Sequence, residues 1–279
     1  MDRLADPERG FGGRQGIVAR MKYGLPLLAL YLAFSAPPLR AAPVDGLAIF
    51  REAVARDSGY QDFRADITML LKEKSGRESR RIMEIASLER RRDGAKTLLR
   101  FANPPDVKGT ALLTHVHKSG PDEQWIYLPA FKKARKISDA NKTSSFMGSE
   151  FSYEDINSLD IQLEKFAFTY LRGEDLGGMG CVVVDRVPTY GNSGYSKQKV
   201  WLDTAEYQIR KVEYFDDKGA HVKTLAVDDY EKFLGRFWRS RRMIMENHKN
   251  GNTTLLEWSG YKFRNGLKEG DFDLSSLKR

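Results

Sequence analysis

Apolar and polar residues alternate along most of the chain beyond residue 60. Every second residue from Phe63 to Leu71 is apolar, and most residues between them, such as Arg64 and Asp66, are polar. This period of two is typical of a β-strand with one solvated and one buried face. Eleven similar segments follow, near residues 79–91, 96–102, 110–117, 123–128, 166–170, 179–187, 197–203, 207–215, 221–231, 236–246 and 252–264.

A different period precedes the strands. Leu47, Phe50, Ala53 and Val54 recur at helical spacing after Asp45, which is a residue that caps helices well. The pattern predicts an amphipathic helix over residues 44–56.

The connections between the predicted strands are short. Parallel pairing needs long crossovers, and only residues 138–162 offer room for one. We therefore expect a mainly β fold of antiparallel strands with few helices, in a barrel or a strongly curved sheet. Residues 43–279 show no internal repeat and no linker, which predicts a single domain.

Residues 142–156 interrupt the alternating pattern. Phe146, Met147, Phe151, Tyr153 and Ile156 stand among small polar residues without clean periodicity. Leaving such side chains in water would forfeit about 1.5–3 kcal/mol each, so this segment must cover an apolar surface. It is either a loop packed permanently over the core or a mobile flap at the mouth of a cavity.

The first 42 residues have the composition of a leader. Arg20 and Lys22 precede an apolar run over residues 25–34, and small residues at Ala41 and Ala42 offer a processing site. We expect a signal peptide over residues 21–42, cleaved after Ala41 or Ala42, with residues 1–20 as an upstream extension. An uncleaved anchor is the alternative.

Charge and cysteine content limit the classes of protein to which this chain can belong. Beyond residue 41 the chain has 40 Lys or Arg against 35 Asp or Glu, mostly interleaved, which disfavours nucleic-acid binding. The single cysteine, Cys181, excludes an internal disulfide, and its apolar neighbours predict a buried strand position.

Motifs for catalysis are weak. The sequence contains neither a GxxxxGK[ST] loop nor a GxSxG elbow, and its acidic pairs are sequence neighbours, which point to opposite faces of a strand. His115 and His117 share one face of a predicted strand and could hold a metal ion, but no third ligand is evident. We therefore expect no enzyme, no cofactor and no metal, with a metal-dependent periplasmic enzyme as the remote alternative.

A basic segment follows the fifth predicted strand. Lys132, Lys133, Arg135 and Lys136 are a candidate surface for an acidic partner or anionic head groups, although a solvated hairpin tip would look the same.

Three stretches carry a family resemblance: FANPPDVKGTALL (101–113), DEQWIYLPAFKKARKI (122–137) and SSFMGSEFSYEDI (144–156). With them the chain resembles the outer-membrane lipoprotein-sorting protein family, relatives of the periplasmic lipoprotein carrier LolA. The resemblance implies an incomplete antiparallel β-barrel of about eleven strands wrapped over helices, as in LolA and LolB. It also implies a hydrophobic cavity that accepts acyl chains.

The resemblance further implies a periplasmic carrier that moves a lipid or lipoprotein between the inner and outer membranes, together with an RND/MMPL-type inner-membrane transporter and an outer-membrane acceptor. A docking module that carries no cargo is the alternative. We expect the cavity to be lined by Phe50, Trp125, Tyr127, Phe146, Met147, Phe151, Tyr153 and Ile156.

Overall fold

The computed structural model describes residues 45–90, 93–157 and 161–278. The predicted signal peptide, residues 21–42, lies outside these ranges. Within them, no helix is both long and apolar enough to cross a membrane.

Thirteen strands form one antiparallel sheet. In chain order they are β1 (Asp62–Lys72), β2 (Glu78–Leu88), β3 (Lys96–Asn103), β4 (Ala111–His115), β5 (Glu123–Leu128), β6 (Lys133–Lys136), β7 (Phe166–Asp175), β8 (Gly180–Pro188), β9 (Lys197–Asp203), β10 (Ile209–Phe215), β11 (His221–Phe233), β12 (Phe237–Asn247) and β13 (Thr253–Phe263).

The predicted fold class is confirmed, with thirteen strands where the family resemblance implied about eleven. β6 is the strand that the alternating pattern did not show, because its four residues, KARK, include no large apolar side chain. The sheet is not closed into a barrel: β6 and β7 are its two edges.

The order of strands across the sheet is β6-β5-β4-β3-β2-β1-β13-β12-β11-β10-β9-β8-β7. Strands β1 to β6 run outward from the middle to one edge, and β7 to β13 return from the other edge, so that β1 pairs with β13 at the centre. Residues 137–165 connect the two edges. This long connection must therefore cross a face of the sheet.

Two α-helices accompany the sheet. Helix α1 (Gly46–Asp57) begins where the sequence predicted, and the side chain of Asp45 accepts a hydrogen bond from the Leu47 amide at 3.0 Å. Phe50 on this helix is fully buried, with its ring centroid 4.5 Å from that of Phe168 on β7. Helix α2 (Tyr153–Asn157) lies in the connection between the sheet edges.

Both faces of the sheet are covered. The inner face carries the main core and is covered by α1 and by the connection that contains Phe146 and Phe151. On the outer face, Phe272 and Leu277 of the C-terminal segment are fully buried against β3, β4 and β5. Leu112 and Leu113 show the arrangement: they are adjacent on β4, both are buried, and they belong to the inner and outer cores respectively.

The sole cysteine lies on the outer face as well. Cys181 is buried on β8 beside Val183 and Trp201, as its apolar neighbours predicted. Burial raises the pKa of its thiol, which favours the uncharged form.

Candidate functional site

A large hollow lies on the inner face, at the C-terminal end of α1. Its volume is about 740 Å³. Six of its larger apolar wall residues come from β1, β12, β13 and the segment before β7: Phe63, Ile161, Trp238, Met243, Trp258 and Tyr261. We call this space the main hollow.

Charged groups stand at the rim of the main hollow, and they are paired. Arg239 forms an ion pair with Asp57 at the end of α1. Burial opposes the charge on Arg239, but the Asp57 carboxylate outweighs this effect and raises the pKa of the guanidinium. Arg236 donates hydrogen bonds to the carbonyls of Ala55 and Arg56 at 3.2 and 3.4 Å, which stabilises the C-terminus of the helix.

Aromatic rings hold Arg239 in place. Its guanidinium carbon lies 5.0 Å from the ring centroid of Tyr60, 5.5 Å from that of Phe63 and 5.6 Å from that of Phe263. These are cation–π distances. The rim is therefore a fixed polar border around an apolar interior.

A second, narrow chamber lies deeper along the inner face, with a volume of about 70 Å³. Phe63, Val116 and Trp258 line both this chamber and the main hollow, so the two spaces adjoin. The chamber walls are almost wholly apolar and come from strands β1 to β4 and β13, closed by Phe146 and Ile156 of the crossing connection. The polarity of the site thus changes from a charged rim to a mainly apolar interior.

Residues 142–157, which we call the crossing segment, are held over the inner face by two apolar anchors. Phe146 and Phe151 are both fully buried, and the Phe146 ring lies 5.8 Å from that of Phe101 on β3. The Phe146 amide donates to the Phe151 carbonyl at 2.7 Å, so the two anchors are joined in one tight turn.

Acidic side chains fix the same segment to the other half of the sheet. Glu154 accepts hydrogen bonds from Tyr190, Ser193 and the Gly194 amide at 2.6–2.9 Å. Asp155 accepts from Tyr195 and Lys223 at 2.9–3.1 Å. Of the two sequence interpretations, the structure shows the packed arrangement, in which the segment is part of the core.

Comparison with solved structures identifies the family. A protein from Vibrio parahaemolyticus, described as a "putative outer membrane lipoprotein-sorting protein domain", is 46% identical and covers 84% of this chain and 98% of its own, with a TM-score of 0.81. A DUF1329 family protein from Desulfovibrio piger is 30% identical over 84% of this chain and 100% of its own, with a TM-score of 0.78. The chain belongs to the same family as these two proteins, the outer-membrane lipoprotein-sorting protein family.

Further comparisons agree on the fold. A LolA superfamily protein from Nitrosomonas europaea, 18% identical, covers 84% of this chain and 99% of its own with a TM-score of 0.68, which shows the fold alone. A family model described as "Uncharacterized protein" matches residues 93–279. A search of curated proteins found no match.

Six of the predicted cavity residues lie on the inner face of this lipoprotein-sorting fold. They are Phe50, Phe146, Met147, Phe151, Tyr153 and Ile156. Two of these, Phe146 and Ile156, line the apolar chamber, and the other four pack in the core around it.

Trp125 and Tyr127 are placed differently from the prediction. They lie on the outer face, packed against the cluster that contains Phe272 and Leu277, and neither lines the main hollow or the chamber. Strand alternation is the reason, because it is Gln124 and Ile126 of β5 that point inward, where both are buried.

The predicted partner surface forms an edge of the sheet. Lys133, Arg135 and Lys136 lie on β6, and Lys132 precedes it in a left-handed conformation with φ of 49°. Lys136 forms an ion pair with Glu123 at 2.5 Å on the neighbouring strand. Lys132 therefore ends the turn of the β5–β6 hairpin, and the other three basic residues lie on the exposed outer strand of that hairpin.

The two histidines on β4 and just after it have separate partners. Nε2 of His115 lies 2.8 Å from the Phe272 carbonyl, and burial lowers the pKa of this ring, which favours its neutral form. His117 pairs through Nδ1 with Asp93 at 2.9 Å. Among residues 45–90, 93–157 and 161–278, no three metal-ligating side chains of the His, Cys, Asp or Glu type come together.

Sequence reasoning missed most of the main hollow. Asp57, Arg239 and Tyr261 are far apart in the chain and belong to no motif, so only the fold brings them together. One feature of the sequence could have indicated this hollow. Two large aromatic residues, Trp258 and Tyr261, stand on either side of Gly260 in the last predicted strand.

Proposed function

We propose that this protein is a periplasmic carrier that binds a lipid, or the acyl chains of a lipoprotein, on the inner face of its sheet. One observation carries the proposal: a hollow of about 740 Å³ with a charged rim adjoins a chamber with apolar walls. An amphiphile has the same polarity profile from head group to chain end. The relative from Vibrio parahaemolyticus is described as a lipoprotein-sorting domain, which supports this class of cargo.

The size and chemistry of the site suit an acyl chain. The main hollow falls within the range of about 300–1,000 Å³ that is usual for ligand pockets. Each methylene group transferred from water to an apolar site contributes about 0.8 kcal/mol, so a chain of about 16 carbons supplies up to about 12 kcal/mol. The chamber is small as it stands, and Met69 and Met83 in its wall are flexible side chains that can repack around a chain end.

We further propose that the protein is a carrier and not an enzyme. The ionised groups at the rim are engaged in structural contacts: Asp57 with Arg239, and Arg236 with the end of α1. Groups held in this way position a head group but are not poised to transfer protons.

Carriage between the inner and outer membranes, with an RND/MMPL-type transporter and an outer-membrane acceptor as partners, is the finer part of the proposal. The basic edge strand β6 supports a docking role, because it presents unpaired backbone groups and positive charge together. The same observation favours the second candidate function, a docking module that carries no cargo.

Lipid binding is tested with two neighbouring residues on one strand. Leu112→Trp fills the apolar chamber, and Leu113→Trp makes the same change on the outer face, where it serves as the matched control. Both changes overpack a core, at a cost of about 1–3 kcal/mol each. Native mass spectrometry after mild purification should find lipid on the wild-type protein and on Leu113→Trp, and at least tenfold less on Leu112→Trp.

Two outcomes would contradict the carrier proposal. The first is a wild-type protein that never carries lipid, either as purified or after incubation with phospholipid vesicles. The second is equal lipid content in the two folded variants. An empty protein that is cross-linked to a membrane transporter in cells would favour the docking module.

A further inference from the structure

Strands β12 and β13 are paired along only part of their length. Their pairing runs from Glu246 opposite Thr253 to Arg242 opposite Glu257 and ends there. Beyond this point residues 237–240 of β12 pair with β11, and residues 258–263 of β13 follow β1. A gap therefore opens inside the sheet, between two strands that are neighbours elsewhere.

Irregular backbone at one level of the sheet explains the gap. Gly260 on β13 has φ of +64°, and the register of β1 against β13 shifts between Arg64 and Asp66. This positive φ favours glycine at position 260, where a Cβ atom would also come within 2.8 Å of the Asp66 carboxylate. On β11, Asp229 also has a positive φ of 50°. Bulges of this kind bend strands away from each other.

Hollows lie against the gap on both faces of the sheet. The main hollow is on the inner face, and a second hollow of about 550 Å³ lies on the other side, bordered by charged residues such as Arg241, Arg242 and Glu257. Trp258 and Tyr261 line both hollows. Two side chains thus separate the cargo site from the outer surface.

Side chains, and not a ladder of backbone hydrogen bonds, close the gap. The Tyr261 hydroxyl donates a hydrogen bond to the Ser240 carbonyl on β12 at 3.2 Å. Further contacts across the gap involve rings: Tyr261 lies 5.1 Å from Phe233, Phe263 lies 6.1 Å from Phe237, and the Arg239 guanidinium lies 5.6 Å from the Phe263 ring. Side-chain contacts of this kind can rearrange without breaking the backbone hydrogen bonds of the sheet.

Trp258 at the centre of the gap carries an unused donor. Its indole is buried and stacked on Tyr261 with an angle of 7° between the planes, and among the described residues its Nε1 has no hydrogen-bond acceptor. A buried unpaired N–H is unfavourable. An ester carbonyl that reaches the gap as the rings shift would supply the missing acceptor.

We propose that the gap between β12 and β13 is a lateral passage, through which the acyl chain of an ester-linked lipid enters and leaves the main hollow. This inference rests on the proposed carrier function. During passage the chain lies between Trp258, Tyr261 and the neighbouring rings, and the head group lies at the charged border of the outer hollow. Sideways entry spares the polar head group from crossing the apolar chamber, where its desolvation would be costly.

The rate of lipid transfer tests the passage. The full chain is loaded with a fluorescent phospholipid and mixed with vesicles of phosphatidylethanolamine and phosphatidylglycerol, and transfer is followed by stopped flow. Tyr261→Phe removes the one hydrogen bond described across the gap and should speed transfer about fivefold, equivalent to about 1 kcal/mol. Ser259→Trp places an indole in the outer hollow and should slow transfer at least threefold.

Lys262→Trp is the control, because Lys262 is exposed on the same strand and lines neither hollow. Its transfer rate should equal that of the wild type. Wild-type rates in Tyr261→Phe and Ser259→Trp, with lipid still bound, would overturn the passage and leave the carrier function standing. A wild-type protein that takes up no lipid would overturn both.

Discussion

Single buried polar residues join distant parts of this fold. Asp62, at the start of β1, is 3% exposed and accepts hydrogen bonds from the amides of Asn265, Gly266 and Leu267, and from the side chain of Asn265. The turn after β13 is thereby attached to the first strand. This carboxylate therefore fixes the start of the C-terminal segment, whose residues Phe272 and Leu277 pack on the outer face.

Replacing Asp62 should destabilise the whole domain. Asp62→Ala removes four accepted hydrogen bonds and is expected to lower the free energy of unfolding by about 2–4 kcal/mol. Asp62→Asn keeps one acceptor oxygen and should cost about half as much. Urea denaturation followed by circular dichroism measures both, and equal stability of Asp62→Ala and the wild type would contradict this role.

Among the elements, the crossing segment has the strongest consequences for function. It connects the two edge strands of the sheet, so it must traverse the inner face, and its apolar residues become part of the core. Glu150 attaches its turn to the loop between β12 and β13, through Asn247 at 2.6 Å and Asn252 at 3.1 Å. The segment closes the apolar chamber because it is bound at several points.

Loss of the Glu150 carboxylate should loosen only this segment. Glu150→Ala is expected to accelerate amide hydrogen exchange about tenfold over residues 145–152, because the side-chain contacts to the asparagines are lost. Exchange in the central strands should not change. Hydrogen-exchange mass spectrometry makes the comparison, with Glu84→Ala on β2 as an exposed acidic control. Unaltered exchange over residues 145–152 would show that the phenylalanine anchors suffice.

At the scale of the whole molecule, one antiparallel sheet presents two covered faces. The first and last strands meet at its centre, and the two edges, β6 and β7, are connected across the inner face. This topology encloses a hollow without closing a barrel. A lipid carrier is needed only where lipids have to cross an aqueous compartment such as the periplasm. Export of the chain is therefore part of the functional proposal.

If the chain is exported with cleavage of its signal peptide, the mature protein should begin at a defined residue. When the full chain is produced with a functional secretion pathway, the purified protein should begin at Ala42 or Pro43, because the apolar run over residues 25–34 has the length of a signal peptide. Intact-mass measurement and N-terminal sequencing give the answer. A mature protein that retains residues 25–34 would support the uncleaved anchor instead.

Some elements of the fold could be predicted from the sequence more completely than others. Alternation located twelve of the thirteen strands, the period of α1 located the helix, and Asp45 was its cap. The large apolar residues Phe146 and Phe151 indicated a buried segment, and both are in the core. Strand β6 was missed because its basic residues carry no apolar alternation.

The type of each element and the presence of an apolar cover over the sheet can be predicted from the sequence, because they depend on local periodicity and on the burial of large side chains. Which face of the sheet each residue lies on depends on the tertiary fold. Leu112 and Leu113 are equally apolar, and both are buried because separate segments cover the two faces of β4. Trp125 and Tyr127 face outward and pack under the segment that covers the outer face. The main hollow and the gap beside Tyr261 depend on where distant strands meet and diverge, which no local pattern records.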